Sequence, residues 1–404
     1  MGSWRTSRRW RWAVGELKPG WRRVKFGEVV RLNRESCREP AAEGIERYIG
    51  LEHLEPGDLR VRSWGDVSEG TTFTNRVRPG QVLFGKRRAY QRKVALADFD
   101  AVCSGDIYVF ESANPEVLLP GLLPFLCQTD AFFERAVGTS AGSLSPRTNW
   151  TSLASYEFAL PPLEEQRRLL RVLDASQLSL DCECLALSEA HSVRMSIIKR
   201  YSDSVEGATR TNTRLSSLCV RIEPGDSPQS SGQSAGVAEF GVLKVSAVGD
   251  WVFNESENKL IERTAFKSYL EVKSGDFLVA RANADPNSVG RTCIVESTRP
   301  GLMLSDKTWR MELTEECQNL SVGVLAWTKS PVFRRHIRNQ LNGTEAKNIS
   351  QERFLAAPAP PIDERFIDFA RQIELINTAI FAIQRRVSEA QNIYAILLRE
   401  ASGQ

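Results

Sequence analysis

Pro161-Pro162-Leu163-Glu164-Glu165-Gln166-Arg167 decides how this chain is read. Paired prolines stop a strand and pre-set the first turn of a helix. Acidic residues follow in that turn, where the helix dipole favours them. From there Leu170, Leu173, Gln177, Leu180, Cys184, Leu187, His191, Arg194, Ile198 and Tyr201 recur in alternating steps of three and four. That spacing predicts a long helix to about Tyr201. The same signal returns at Pro360-Pro361-Ile362-Asp363-Glu364-Arg365. Its seam is Ile362, Phe366, Phe369, Ile373, Ile376, Ile380, Ile383, Val387, Ala390, Tyr394 and Leu397, ending near Arg399. Sustained heptads favour helix–helix seams, so two antiparallel helices in a coiled coil are expected. Gln177, His191 and Arg194 interrupt the first seam; such polar positions fix register at a cost in stability.

The stretches before each helix also repeat. Arg78-Pro79-Gly80-Gln81-Val82-Leu83-Phe84 resembles Lys273-Ser274-Gly275-Asp276-Phe277-Leu278-Val279, each a turn entering an apolar strand. Val102-Cys103-Ser104-Gly105-Asp106 resembles Met303-Leu304-Ser305-Asp306, and Asp130-Ala131-Phe132-Phe133-Glu134-Arg135 resembles Pro331-Val332-Phe333-Arg334-Arg335. The shared order of features marks an internal duplication of a globular domain followed by a helix. Pro224 to Gly236, rich in Ser, Gly, Gln and Pro, reads as an irregular loop.

The 404 residues suit two or three domains. An apolar fraction of 42% and a charged fraction of 25% are those of a soluble globular protein, expected in the cytoplasm. No apolar run is long enough to span a bilayer. The basic, Trp-rich start, Met1 to Arg11, lacks the apolar core of a secretory signal. Eight scattered cysteines form no CxxC pair and read as reduced, small apolar residues.

Several fragments imitate catalytic motifs and fail. Gly80 to Lys86 fits the opening of a phosphate-binding loop, but Arg87 stands where a Ser or Thr would hold Mg²⁺. Glu271-Val272-Lys273, with Asp250 upstream, has the acid-x-lysine end of a nuclease site, although cleavage needs carboxylates converging on one cation. His53, His191 and His336 are the three histidines, none at a known spacing from a nucleophile. No glycine-rich cofactor loop and no Asn/Asp-Pro-Pro-aromatic run of an adenine methyltransferase occurs. No catalytic residue and no metal site is expected in this chain.

A net charge of +3 directs attention to local clusters. After the first repeated strand come Lys86, Arg87, Arg88, Tyr90, Gln91, Arg92 and Lys93. Cations give affinity for phosphates; forked donors and amides read guanine and adenine edges. The equivalent stretch in the second half offers Arg281, Asn283, Asn287 and Arg291, less basic and richer in amides. The turn before each Pro pair is a second candidate surface: Ser143, Arg147 and Asn149 in one half, Lys347 and Asn348 in the other. There, small residues allow close backbone approach to phosphates. Arg334, Arg335, His336 and Arg338 add a basic helical face. Recurrence in both halves is what lifts these clusters above ordinary solvated surface.

With these elements in place, the chain resembles the specificity subunit of a Type I restriction–modification system from about Trp21 to Arg399. The carriers are the Gly/Thr/Ser turn, the strand Tyr156-Glu157-Phe158-Ala159-Leu160 and the Pro161 to Arg167 helix start, with the Gly80 to Phe84 strand and its basic loop. In the second half Arg365 replaces the usual Gln. The resemblance implies an α+β chain: two mixed α/β target recognition domains in tandem, each followed by a long helix, the helices forming an antiparallel coiled coil. The expected boundaries are a basic segment at 1–20, recognition domain 21–160, spacer helix 161–206, recognition domain 207–359 and spacer helix 360–404. Each domain would read one half of a bipartite double-stranded DNA site. A helix of ~40 residues is roughly 60 Å long, enough to hold two domains on one duplex. The resemblance also implies two docked methyltransferase subunits and a restriction/translocase subunit. Those partners would carry S-adenosylmethionine, Mg²⁺ and ATP, with no cofactor in this chain. Competing readings are an enzyme with a degenerate nuclease or methyltransferase site, a scaffold that binds only protein, and a specificity factor of another phage-defence system.

Overall fold

A computed structural model describes residues 17–208, 213–343 and 347–403. Most of the N-terminal basic segment, and Thr344 to Ala346 of the second turn, lie outside the described residues. The chain divides into two compact units, Met1–Cys184 with Arg386–Gln404, and Leu185–Arg385.

In the first unit, β1 (Arg22–Lys25), α1 (Phe26–Val29), β2 (Val30–Leu32), β3 (Arg47–Ile49), β4 (Gly65–Asp66) and β5 (Asn75–Val77) come first. Then follow β6 (Val82–Gly85), β7 (Val94–Leu96), β8 (Ala101–Cys103), β9 (Ile107–Ser112), α2 (Leu123–Gln128), α3 (Asp130–Gly138), α4 (Trp150–Ala154) and β10 (Glu157–Leu160). One antiparallel sheet has the order β2-β9-β6-β7. A second has the order β4-β3-β8-β5, with β3 and β8 parallel. Every residue of β6 is buried, as its unbroken apolar run requires of a central strand covered on both faces. Thr129 and Asn149 start α3 and α4 by accepting amide hydrogens with their side chains.

The helix α5 (Leu163–Ala208) then runs 46 residues, a turn or two beyond the expected end. In the second unit come β11 (Cys219–Pro224), β12 (Gly241–Leu243), β13 (Asn258–Leu260), β14 (Phe277–Ala280), β15 (Ala282–Asn283), β16 (Thr292–Ile294), β17 (Leu302–Met303) and β18 (Thr308–Leu313). After them lie α6 (Glu315–Gln318), α7 (Ser321–Trp327), α8 (Pro331–Asn339), β19 (Lys347–Asn348), α9 (Gln351–Leu355) and α10 (Glu364–Ala401). The sheets are β11-β18-β14-β16 and β13-β12-β17, with β12 and β17 parallel. The order β11-β18-β14-β16 repeats β2-β9-β6-β7, and β13-β12-β17 repeats β4-β3-β8 without a counterpart strand for β5 among the described residues. Ser330 and Ser350 cap α8 and α9 as Thr129 and Asn149 cap α3 and α4.

Each unit has its own aromatic core. Phe26, Phe84, Phe110 and Phe132 pack together in the first, with Leu169, Leu173 and Tyr394 from the long helices. Trp309, Trp327, Phe333, Phe354, Phe366 and Phe369 do so in the second, with Ile198. Burying each such side chain contributes about 1.5–3 kcal/mol. Within the first unit Arg168 meets Glu400 at 3.0 Å and Glu183 meets Arg386 at 3.0 Å. Within the second, Arg194 donates to Asn377 at 2.9 Å and the Tyr201 and Phe369 rings stack at 4.2 Å. In both, later residues of α5 meet earlier residues of α10, so the paired segments run in opposite directions. Every seam position of α10 is buried or half-buried; on α5 Cys184 is the exposed exception. Among the described residues no helix is long and apolar enough to cross a membrane.

Candidate nucleic-acid interface

The central strands β6 and β14 deliver the two candidate loops to the same station. Lys86 donates its backbone amide to the Asp106 carbonyl at 3.0 Å, and Arg281 does the same to Lys307 at 2.9 Å. Thr148 donates to the Lys86 carbonyl at 3.1 Å, and Ile349 to the Arg281 carbonyl at 3.1 Å. Arg87 bridges Arg147, while Ala282 and Asn283 pair with Asn348 and Lys347. Ala141 bridges Arg147, and Asn342 bridges Asn348. The strand-following loop and the turn before the Pro pair, separate surfaces in the sequence, are therefore one surface in each unit.

In the first unit the basic run is divided between cations that pair within the fold and cations without an acidic partner among the described residues. Arg87 and Arg147 both reach Asp106, at 3.3 and 2.7 Å. The Arg147 bond, and then Arg87, hold the Asp106 carboxyl below its ordinary range despite partial burial. Arg92 is taken up by the Gln128 carbonyl at 3.0 Å, Asp130 at 2.8 Å and the face of Phe133. Lys93 donates to the Leu51 carbonyl at 2.7 Å, and Asn149 caps α4. These three side chains have partners within the first unit. Lys86 lies over the Tyr108 ring at 4.6 Å, and no carboxylate among the described residues comes within ion-pair distance of Lys86 or Arg88. Arg88 takes a left-handed backbone, φ 53°, its amide bonded to the Pro146 carbonyl at 2.7 Å. Tyr90 is 57% exposed, Gln91 half-buried and Ser143 exposed. Leu144 beside it is 89% exposed.

In the second unit side-chain amides shape the loop. Asn283 accepts the Asp285 amide at 3.0 Å, and Asp285 accepts the Asn287 amide at 3.0 Å, two successive Asx turns. Arg334 fastens the loop through the Asn287 and Val289 carbonyls at 2.8 and 2.9 Å. Arg281 donates to the Asp306 carbonyl at 3.2 Å, and Lys347 to the Gly343 carbonyl at 2.6 Å. Arg291 is half-buried and Asn287 exposed. The basic face of α8 is largely spent: besides Arg334, Arg335 pairs with Glu206 at 2.9 Å and His336 bonds the Arg353 carbonyl at 2.8 Å. Sequence reasoning missed Asp106 and Lys307 as loop anchors, because their role depends on a backbone bond across the sheet.

The two acids of the nuclease-like pattern have structural partners instead. The Asp250 carboxylate pairs with buried Lys329 at 2.9 Å, and Glu271 accepts the Gly301 amide at 2.8 Å. Among the described residues no three His, Cys, Asp or Glu side chains converge as a metal ion would require. The helix-opening motif also acquires a reason. Gln166 is buried, donating to the Val117 and Pro161 carbonyls at 2.8 and 2.9 Å and accepting the Leu119 amide at 2.9 Å. Arg365, expected to replace that Gln, instead lies exposed and pairs with Asp363, so the clamp is not duplicated.

Residues 19–182 match the family model described as Type I restriction modification DNA specificity domain. This stretch is similar to a Type I specificity domain. Its curated relatives agree. The specificity subunit of the Type I restriction enzyme EcoEI of Escherichia coli is 32% identical over 171 residues, 41% of this chain and 27% of that protein. The EcoDI specificity subunit of Escherichia coli is 28% identical over 154 residues, 37% of this chain and 33% of that protein. The chain thus spans about a quarter to a third of the length of these relatives. The fold of this chain recurs over nearly its whole length in solved structures. The Type I restriction–modification S subunit from M. genitalium has a TM-score of 0.59 at 12% identity, covering 96% of this chain and 97% of that one. A chain from the type I R-M system solved for its complex assembly and conformational transition has a TM-score of 0.56 at 19% identity, covering 96% and 98%. At these identities the likeness concerns the fold.

Proposed function

We propose that this chain is the sequence-specific DNA-reading subunit of a Type I restriction–modification complex. Domains 21–160 and 207–359 each read one half of a bipartite duplex target, and helices 161–206 and 360–404 pair as an antiparallel coiled coil that sets the spacing. The observation that carries this reading is the repeated loop pair. Lys86-Arg87 against Arg147-Thr148, and Arg281-Asn283 against Lys347-Ile349, occupy one station with unlike chemistry. Equal scaffolds with unlike readers suit two unlike half-sites. Lys86, Arg88, Tyr90, Gln91 and Ser143 face the first half-site; Arg281, Asn283, Asn287, Arg291, Lys347 and Asn348 face the second. Arg87 and Arg147 contribute through their shared carboxylate, while Arg92, Lys93 and Asn149 act by holding the loops.

The chain itself is non-catalytic in this reading and acts in the cytoplasm. Two methyltransferase subunits and a restriction/translocase subunit dock on it and bring S-adenosylmethionine, Mg²⁺ and ATP. Single-molecule sequencing of methylated adenines in the host tests the proposal. A bipartite motif that disappears when the chain is removed supports it, and an unchanged methylation pattern sinks it. Methylation or cleavage by the purified chain alone would overturn the non-catalytic assignment.

A further inference from the structure

The second unit has a polar cleft of about 520 Å³ beside the reading loop, walled in part by Pro224 to Gly236. Ser227, Ser230, Lys244, Lys259, Asp306 and Lys307 line it. The serine-rich stretch is not a loose loop at this wall, because Asp226 bridges Ser305 and Ser230 bridges Ile261. Lys259 and Lys307 are exposed and, among the described residues, have no carboxylate within ion-pair distance. Lys244 lies 3.6 Å from Glu257 and stays half-exposed. The cleft adjoins the reading loop directly: Arg281 donates its amide to the Lys307 carbonyl and its guanidinium to the Asp306 carbonyl.

The first unit has no such cluster at the same stations. Lys307 stands where Asp106 accepts the loop amide. Val242 pairs with Lys259 as Tyr48 pairs with Gly65. Lys244 precedes its short helical turn as Gly50 precedes the matching one. Three lysines thus replace two glycines and an aspartate, and a side chain at Gly65 would run into the Tyr48 ring. The duplication made the scaffold twice, and only the second copy carries cations at these three stations.

We propose that this cleft is a phosphate-backbone seat, in which Lys244, Lys259 and Lys307, with the Ser227 and Ser230 hydroxyls, hold the DNA strand flanking the second half-site. The proposal rests on the DNA-reading function above and deepens it. Cations and hydroxyls without an aromatic platform suit phosphodiesters rather than unstacked bases. The seat supplies affinity in a unit whose reading loop is poor in free cations, and it contributes no sequence preference of its own.

The test uses the full chain with its methyltransferase subunits and a duplex carrying the target. Binding is followed across a salt series for wild type, for the triple variant Lys244→Ala, Lys259→Ala and Lys307→Ala, and for Lys86→Ala with Arg88→Ala. Thermal melting confirms that the variants are folded. The triple variant is expected to bind about tenfold or more weakly at physiological salt, with a salt slope shallower by about 0.9 per lost contact. Its methylated sequence stays the same, and backbone protection is lost beside one half-site only. Wild-type affinity and slope in the triple variant, alongside weakened binding by the Lys86 and Arg88 variant, overturn the cleft and leave the DNA reading standing. An altered methylated sequence in the triple variant also overturns it, since a backbone seat reads no bases. Absence of DNA binding by the wild-type complex overturns both.

Discussion

The backbones of Arg87 and Arg147 are bridged, and both guanidinium groups close on the single carboxylate of Asp106. Two loops far apart in sequence are thereby fixed against each other by one acid. A carboxyl held below its ordinary range stabilises the folded state fully above about pH 4, the unfolded value. That contribution is lost as pH falls through the folded value. Asp106→Asn should cost the first unit about 1 kcal/mol at neutral pH, allowing for partial exposure. It should also flatten the acid side of its stability curve. Denaturation midpoints from pH 6 down to pH 3 measure both, and a variant with an unchanged acid limb refutes the role.

Asn283 uses its side-chain oxygen to accept the Asp285 amide. Asn283→Asp keeps that acceptor and removes the amide donor available to a base edge. The expected result is a folded protein whose methylated motif changes at one position of one half-site. Asn283→Ala should in addition loosen the loop. An unchanged motif in both variants removes Asn283 from the reading set.

Gln166 fills three hydrogen bonds between the start of α5 and the chain around Val117 and Leu119. Gln166→Leu leaves two carbonyls and an amide unsatisfied in a buried site, so a loss of about 2–4 kcal/mol is expected. Arg365→Ala, at the related place before α10, should cost under about 0.5 kcal/mol because its pair with Asp363 is exposed. Urea unfolding of the two variants separates a buried clamp from a surface pair.

Lys329 is buried, donating to the Thr292 carbonyl at 2.6 Å and paired with Asp250. Burial pushes its ammonium down to about 8, with Asp250 opposing the shift. Between that value and about 10.4 the unfolded chain binds more protons, so the second unit gains stability as pH rises through this window. Lys329→Met should remove that rise, and Asp250→Asn should steepen it. Equilibrium unfolding from pH 7.5 to pH 10.5 decides the matter, and identical slopes in wild type and Lys329→Met would falsify the assignment.

The helices were the most legible part of the chain. A period of three and four along Phe366, Phe369, Ile373 and Ile380 is a local property, and burial follows it directly. The duplication was legible for the same reason, since strand, turn and cap signals recur in order. Charge was less legible. Arg92 and Lys93 look like Lys86 and Arg88 in the sequence, yet the first pair is consumed by Gln128, Asp130 and Leu51. Nothing local distinguishes them, because their acceptors come from other elements.

By itself the sequence determined the repeated unit, the long helices and the two strands that carry the reading loops. These rest on periodicity, prolines and caps, all of which act within a few residues. Tertiary structure alone decided which cations are paired off within the fold, and it paired each loop with its turn. It also gathered Lys244 after β12, Lys259 within β13 and Lys307 before β18 beside Arg281. Sheet pairing sets those neighbours, and sheet pairing joins residues that the chain keeps far apart.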